Sequence, residues 1–317
     1  MTAPLPPLLI VAGPTASGKS ALAMEVAEDF DGVVINADSM QVYRELRVLT
    51  ARPSAADEAR APHRLFGVLP AAERCSAGRW LGMAAAEIAA ARADGRLPIV
   101  VGGTGLYLGA LTGGLAPVSQ IPDDVRAEAK TLHARLGGEG FRAELAKLDP
   151  ESAAALPAGD TQRLIRAWEV VWSTGRTLAD WQRESAAPRM IGARTATIVL
   201  SPSREALYAA IDARFEAMVA GGALDEVRAL LRLGLDPGLP AMKAVGLREL
   251  AAHLRGEVPL EAAIAAASRA SRNYAKRQMT WLRYRVVPSL AIDAQYSESL
   301  RPKIFSFIRQ FLLTPDD

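Results

Sequence analysis

Apolar and polar positions along this chain change rhythm twice. Near the start, "LLIVAG" (8–13) is an unbroken apolar run stopped by a Gly-Pro pair, the pattern of a buried strand. "KSALAMEVAEDF" (19–30) then repeats its apolar residues at helical spacing, and "GVVINAD" (32–38) is a second strand ending in polar residues. "AAEIAAARADG" (85–95) predicts a helix closed by Gly95, and "RLPIVVGGTG" (96–105) another buried strand. Strand and helix alternate, so the expected fold is α/β: a parallel sheet flanked by helices.

After about Leu115 the strand signal stops. "PVSQIPDDVRAEAKTLHARLGG" (117–138) and "DTQRLIRAWEVVWSTG" (160–175) both read as helices, which predicts a helical insertion to about Pro188. The alternation resumes at "ARTATIVLSPS" (193–203), a strand and a turn. "REALYAAIDARFEAMVAGG" (204–222), "ALDEVRALLRLG" (223–234) and the long "PLEAAIAAASRASRNYAKRQMTWLRYR" (259–285) read as helices, and "PSLAIDA" (288–294) as a last strand. The expected organisation is a core begun by residues 1–115, a helical insertion over 116–188, and the core continued by 189–317 with a basic C-terminal helix.

Composition narrows this only a little. Half of the 317 residues are hydrophobic, enough for a sizeable core, and 37 basic against 35 acidic residues leave a net charge of +2. The distribution says more: Arg269, Arg272, Lys276, Arg277, Arg283 and Arg285 fall within one stretch without an acid among them, a candidate polyanion footprint. Arg269, Arg272, Lys276 and Arg283 line one helix face, while Tyr274 and Trp281 lie on another stripe and are expected in the core. One cysteine, Cys75, excludes an intrachain disulfide and a cysteine zinc site; three scattered histidines give no transition-metal cluster. The apolar start lacks a basic leader and carries Pro4, Pro6 and Pro7, and no run is long enough to span a bilayer. The expectation is a reduced, cytoplasmic protein without a membrane segment, and nothing suggests more than a monomer.

Gly13–Ser20, "GPTASGKS", match G-x-x-x-x-G-K-[ST] between a predicted strand and a predicted helix. Backbone N–H groups of such a loop, with the helix N-terminus behind them, cradle phosphate oxygens; Lys19 adds a mobile charge, and the Ser20 hydroxyl is placed for Mg²⁺. Thr15 and Ser17 add donors. A cradle of this kind serves ATP-using kinases and ATPases, nucleotide switches, or a diphosphate that simply leaves. The usual partner of the loop is an apolar strand ending in Asp. The best such strand here ends in Gly102-Gly103-Thr104, and the guanine-reading N-K-x-D is absent. The acid at a strand end is Asp38, in "INADSMQVY". Ligands in parallel sheets bind outside the carboxyl ends of strands, so Asp38 and Thr104 are expected on the rim of the cradle. By position alone Asp38 is equally a helix cap and Thr104 a turn residue.

Eight segments in order are similar to those of the tRNA dimethylallyltransferases: "GPTASGKS", "NADSMQVY", "LTARPS", "APHRLFGV", "VVGGTGLYLGAL", "DTQRLIRAWEV", "KAVGLREL" and "RNYAKRQMTWLR", spanning about Leu9 to Arg283. The resemblance implies a P-loop NTPase-like core that moves a dimethylallyl group from its diphosphate, with Mg²⁺, to the exocyclic amine of an adenosine. That adenosine lies immediately 3′ of the anticodon in tRNAs reading codons that begin with U. It implies that Gly13, Thr15, Ala16, Ser17, Gly18, Lys19 and Ser20, with Lys243 and Arg248, hold the diphosphate. Asp38 would take the amine proton, and Thr104 would hydrogen-bond near the base or the diphosphate. tRNA would be met by Asp38, Ser39, Met40, Gln41 and Thr104, by Arg126, by Gln162, Arg163, Leu164, Ile165 and Arg166, and by Lys276, Arg277 and Arg283. Arg163 and Arg166 are alternatively ordinary helix ion pairs with Asp160 and Glu169.

The chain departs from that pattern where Leu49 replaces a glycine, Arg52 a lysine, Gly67 an aspartate and Cys75 a tyrosine, which bears on the pocket wall. Other readings are the same transfer to a free adenine nucleotide, as in cytokinin-forming isopentenyltransferases, a small-molecule kinase, and a nucleotide-switched RNA-binding protein. The first would not need the insertion or the basic helix. The second leaves "NADSMQ" and "GGTGLY" unexplained. The third would survive loss of Asp38.

Overall fold

The structure, a computed structural model, describes residues 5–116, 118, 121–184 and 192–314. Residues 117, 119 and 120 of the predicted first insertion helix and the expected boundary near residue 188 lie outside the described residues; residues 118, 121 and 122 are not helical, and the helix begins at Asp123.

The elements in chain order are β1 (Pro7–Ala12), α1 (Lys19–Asp29), β2 (Gly32–Asn36), α2 (Ala55–Arg60), β3 (His63–Arg64), α3 (Ala77–Ala93), β4 (Leu97–Gly102) and α4 (Gly105–Gly113). Then come α5 (Asp123–Ala146), α6 (Pro150–Ala155), α7 (Thr161–Thr174) and α8 (Leu178–Glu184). The chain returns through β5 (Arg194–Leu200), α9 (Arg204–Ala220), α10 (Ala223–Arg232), α11 (Leu247–Leu254), α12 (Leu260–Arg285), β6 (Leu290–Ile292) and α13 (Arg301–Leu313).

Among the described residues six strands form one parallel sheet in the order β3-β2-β4-β1-β5-β6. β1 lies between β4 (Leu9 opposite Ile99) and β5 (Leu9 opposite Ala196). The middle strands are apolar on both faces because helices cover both faces, which is why they read as continuous runs. On one side, Leu22, Ala23 and Val26 of α1 pack with Val11, Val34 and Ile99, and with Ile304, Phe305 and Ile308 of α13. The carboxyl ends of β1, β2 and β4 share one rim, where the loops with the cradle, Asp38 and Thr104 emerge.

The chain divides into two compact units, Met1–Thr112 with Ile191–Asp317, and Gly113–Met190. The smaller unit is helical among the described residues; Phe141, Leu145, Leu164, Ala167 and Trp168 form its core. Its first helical stretch turns at Gly137, whose φ of 67° interrupts α5. Asp160 caps α7, and Gly175, in the left-handed region, ends it.

Several elements exceed the sequence reading. β3 has two residues, α2 and α6 a single turn or so, and α4 starts at Gly105, within the run 96–105 that was expected to be a strand. α13, absent from the reading, buries Ile304, Phe305 and Ile308. Among the described residues no helix is long and apolar enough to cross a membrane.

Candidate active site

The cradle follows from β1 ending at Ala12 and α1 starting at Lys19. Gly18 sits at φ 85°, where a side chain is strained, and a Cβ there would meet Tyr296 at 2.8 Å. Ala16 is also left-handed, at φ 62°. No side chain caps α1, so its first N–H groups remain open to an anion. Ser17 is buried, and its Oγ has no hydrogen-bond partner. Ser20 is exposed at the start of the helix.

Lys19 donates from Nζ to the Pro14 carbonyl at 3.1 Å. Burial pushes its pKa down to about 8; the Asp38 charge opposes this shift and the Arg214 charge adds to it. Asp38, Lys19 and Arg214 therefore sense one another electrostatically.

Asp38 follows β2, and the buried Asn36 folds its turn. Asn36 Oδ1 accepts from Asp38 N at 2.7 Å, and its Nδ2 donates to the carbonyls of Asp38 (3.0 Å) and Leu65 (3.1 Å). Asp38 Oδ1 accepts from Met40 N at 2.9 Å, and its second oxygen makes no hydrogen bond among the described residues. No helix begins here, so Asp38 forms an Asx turn and is not a helix cap. Thr104 stands just before α4, yet its hydroxyl reaches across to Ser39, accepting from Ser39 N at 3.0 Å. The loops after β2 and β4 are thus tied together.

One pocket of about 230 Å³ gathers Thr15, Asp38, Ser39, Met40, Lys243 and Arg277. Leu49, Ile211, Phe215, Met218 and Val245 supply an apolar wall to the same pocket. Leu49 has ordinary backbone; the left-handed residue of that loop is Ala51, at φ 48°. The loop is pinned by Glu226, whose carboxylate accepts the N–H groups of Arg47, Val48 and Leu49 at 2.7–2.9 Å.

Arg214, on α9, was not singled out in the sequence. It is largely buried in the pocket, its Nη1 donating to Thr15 Oγ1 at 3.1 Å and its Nη2 to the Thr50 carbonyl at 3.3 Å. Burial lowers its pKa, and the Asp38 charge opposes that. Tyr274, expected in the core, instead lines the pocket. Its pKa is raised, first by burial and then by the Asp38 charge, while the neighbouring Thr104, Arg277 and Gln278 oppose the rise. It faces the site because it lies one turn before the buried Gln278. Trp281 does pack inward: a Cβ on Gly105 of α4 would meet its ring at 2.4 Å.

Other sequence candidates sit elsewhere. Gln41 braces the pocket loop, its Nε2 donating to the carbonyls of Thr50 (2.8 Å) and Ala51 (3.1 Å). Arg248 is exposed on α11 and is not among the residues lining the pocket. Lys276 lines a shallower hollow on α12 with Arg277, Trp281 and Tyr284; Arg283 is exposed, stacked over the Tyr284 ring. The basic stretch is not wholly free of acids, since Arg272 binds both oxygens of Asp212 from α9. In the smaller unit, Leu164 is wholly buried and Ile165 partly so, while Gln162 and Arg163 are exposed. Arg163 pairs with Asp160 at 3.1 Å and Arg166 with Glu169 at 3.7 Å, the helix ion pairs named above as the alternative. Burial lowers the Arg166 pKa; Glu169 opposes this and Arg126 adds to it.

The IPP transferase family model matches residues 41–285, and the isopentenyl transferase model residues 6–66. The tRNA dimethylallyltransferase of Rhodospirillum centenum is 58% identical over 287 residues, covering 90% of this chain and 91% of that one. That of Paramagnetospirillum magneticum is 57% identical over 316 residues, 99% of each chain. The solved tRNA isopentenylpyrophosphate transferase of Bacillus halodurans superposes with a TM-score of 0.70 at 32% identity, covering 96% of each chain. An open phosphate cradle, a strand-end carboxylate with an uncommitted oxygen and an apolar wall thus occur in a chain that belongs to the tRNA dimethylallyltransferase (IPP transferase) family.

Proposed function

We propose that this protein transfers the dimethylallyl group of dimethylallyl diphosphate to N6 of the adenosine immediately 3′ of the anticodon in tRNAs reading UNN codons. The observation that carries the reading is one pocket in which Asp38 keeps a free carboxylate oxygen beside the cations Arg214, Lys243 and Arg277 and an apolar wall. The allylic C1–O bond breaks, its electrons leaving with the diphosphate; N6 forms the new bond to C1 and gives up a proton. The cradle N–H groups, Lys19 and Arg214 stabilise the charge gathering on the leaving group. An adenine amine is a poor nucleophile because its lone pair is delocalised, and the Asp38 carboxylate accepts the proton as the bond forms. Leu49, Ile211, Phe215, Met218 and Val245 exclude water from an allylic cation that water would otherwise capture.

The reading includes Mg²⁺. Among the described residues no cluster of three potential carboxylate, thiolate or imidazole ligands exists. Ser20, exposed in the uncapped first turn of α1, would supply a hydroxyl to the ion. The ion would neutralise part of the diphosphate charge. The reading also has a single chain working in the cytoplasm on the anticodon stem-loop, gripped by the exposed cations of α12 and by Arg126 and the Gln162–Arg166 segment.

The test is mass spectrometry of nucleosides from unmodified tRNA incubated with the protein, Mg²⁺ and dimethylallyl diphosphate, with ATP in a parallel reaction. A gain of one C5 unit on a single adenosine, with the diphosphate alone, supports the transfer. Prenylation of added adenine nucleotide but not of tRNA would move the acceptor to a free nucleotide. ATP consumption without a C5 product would sink the reading.

Two further results are expected. Lys19 has a pKa near 8, below its ordinary 10.5, so the unfolded chain holds more protons than the folded one between those values. The group's contribution to stability therefore rises with pH across that window. A bound diphosphate returns the proton to Lys19. Calorimetry with the unreactive thiolo analogue of the substrate, in two buffers of different ionisation heat, should show uptake approaching one proton near about pH 9. No uptake at that pH would mean that Lys19 is already charged in the free protein. Separately, Lys276→Ala should weaken tRNA binding and reduce the salt slope by about one unit. An unchanged slope would remove this lysine from the RNA contact.

A further inference from the structure

Gln278 lies on the inner face of α12, between the buried Ala275 and Leu282, and is only 5% exposed. A buried primary amide must satisfy a donor and an acceptor end, or it destabilises the fold. Here Oε1 accepts the Thr15 N–H at 2.8 Å, and Nε2 donates to the Gly103 carbonyl at 2.9 Å. Thr15 belongs to the cradle after β1 and Gly103 to the loop after β4, and these strands are neighbours, with Ala12 opposite Gly102. The junction is tight: a Cβ on Gly103 would stand 2.4 Å from Gln278 Nε2 and 2.6 Å from the Gly13 carbonyl oxygen. On the same helix, Tyr274 and Arg277 line the pocket.

We propose that Gln278 is a positioning residue that sets the spacing between the diphosphate cradle and the Thr104 loop, and that hangs both on the helix whose outer face carries Lys276 and Arg277. The proposal rests on the transfer reading above. Displacement at carbon needs the reacting atoms within about 3–3.5 Å and in line. In this site the leaving group and the acceptor base are held by different loops on different strands. A single amide with one donor and one acceptor ties those loops in a polar sense: neither shifts along its strand without losing a bond. Gln278 itself touches no substrate. It acts through Thr15 and through Gly103, the residue before Thr104.

Gln278→Glu separates positioning from folding. The carboxylate keeps the shape and still accepts from Thr15, but when ionised it sets an oxygen against the Gly103 carbonyl. When protonated, it donates there again. Burial at this position raises a carboxyl's pKa, so the variant should lose at least about tenfold in kcat near pH 8 and recover toward about pH 6, with the KM for tRNA little changed. The recovery is read as the ratio to wild type at each pH. That cancels the groups that titrate or carry charge in both proteins: Lys19 on α1, Asp38 after β2, Arg214 on α9, and Tyr274 and Arg277 on α12. Gln278→Met, which has neither end of the amide, should be slow at every pH. Thermal melting is recorded for each protein. A kcat near wild type in both folded variants would overturn the proposal, as would a loss that tracks melting with no acid recovery. Variants that do not fold at the assay temperature would make Gln278 a structural residue and overturn it too. A wild-type protein inactive on tRNA with dimethylallyl diphosphate would instead refute the transfer reading.

Discussion

Asp38→Asn is expected to lower kcat by about 10²–10⁴-fold while leaving tRNA affinity nearly unchanged. The substitution is sharp because of how the side chain is used. Asp38 Oδ1 accepts from Met40 N at 2.9 Å, and an asparagine oxygen fills that role, so the Asx turn and the Ser39–Thr104 tie survive. What disappears is the uncommitted oxygen that takes the N6 proton. The same change removes the charge that holds up the Lys19 pKa, so the upper pH limit of diphosphate binding should move down as well. Single-turnover kinetics with saturating tRNA, beside a binding titration, measures both effects. If kcat survives within a few-fold, Asp38 is a turn-forming residue and the base lies elsewhere.

Arg214→Ala should raise the KM for dimethylallyl diphosphate by about 10–100-fold, the loss of one charge-assisted contact of roughly 1.5–3 kcal/mol. The guanidinium is oriented before any substrate arrives, by Thr15 Oγ1 at 3.1 Å and the Thr50 carbonyl at 3.3 Å. Arg214→Lys keeps the charge but not the fork that spans both partners, and should recover only part of the loss. Steady-state kinetics at saturating tRNA distinguishes this from a packing role. A lower melting temperature with an unchanged KM would make Arg214 a structural bridge between α9 and the cradle.

The parallel sheet and the cradle were legible because each is written locally: an apolar run, a glycine turn, then a helix. Asp38 and Thr104 were legible as strand-end residues, since topology places every such end on one rim. Arg214 and Gln278 were not, because each acts across a sequence separation that no local pattern encodes; Gln278 and Thr15 are 263 residues apart. Both did leave a signal. Leu207, Ile211 and Phe215 recur every fourth residue on α9, and Arg214 sits on that stripe. Gln278 likewise interrupts the buried stripe of α12 between Ala275 and Leu282. A polar residue on an apolar face has a partner on another element, and here that element is the cradle. Tyr274 was misplaced for the complementary reason: an aromatic at core spacing also suits a half-buried pocket wall. The short β3 and α2 fell below the length at which periodicity is visible. α13 carries its own stripe in Ile304, Phe305 and Ile308, beyond the last strand at which the sequence elements end.

The position of β1 in the sheet has a consequence for biosynthesis. β1 is made well before its partner on one side, β5, which ends at Leu200. At roughly 5–20 residues per second, the nascent chain therefore waits on the order of ten seconds or longer with one edge of its central strand bare. β2, β3 and β4 are made in that interval, and so is the smaller unit with its core around Phe141 and Trp168. The exposed row of N–H and C=O groups on an apolar strand is an invitation to pair with other chains. Truncation anywhere between Gly113 and Leu200 leaves that edge open for good, so stalled or prematurely terminated chains should aggregate, whereas the full-length chain covers the edge as soon as β5 emerges.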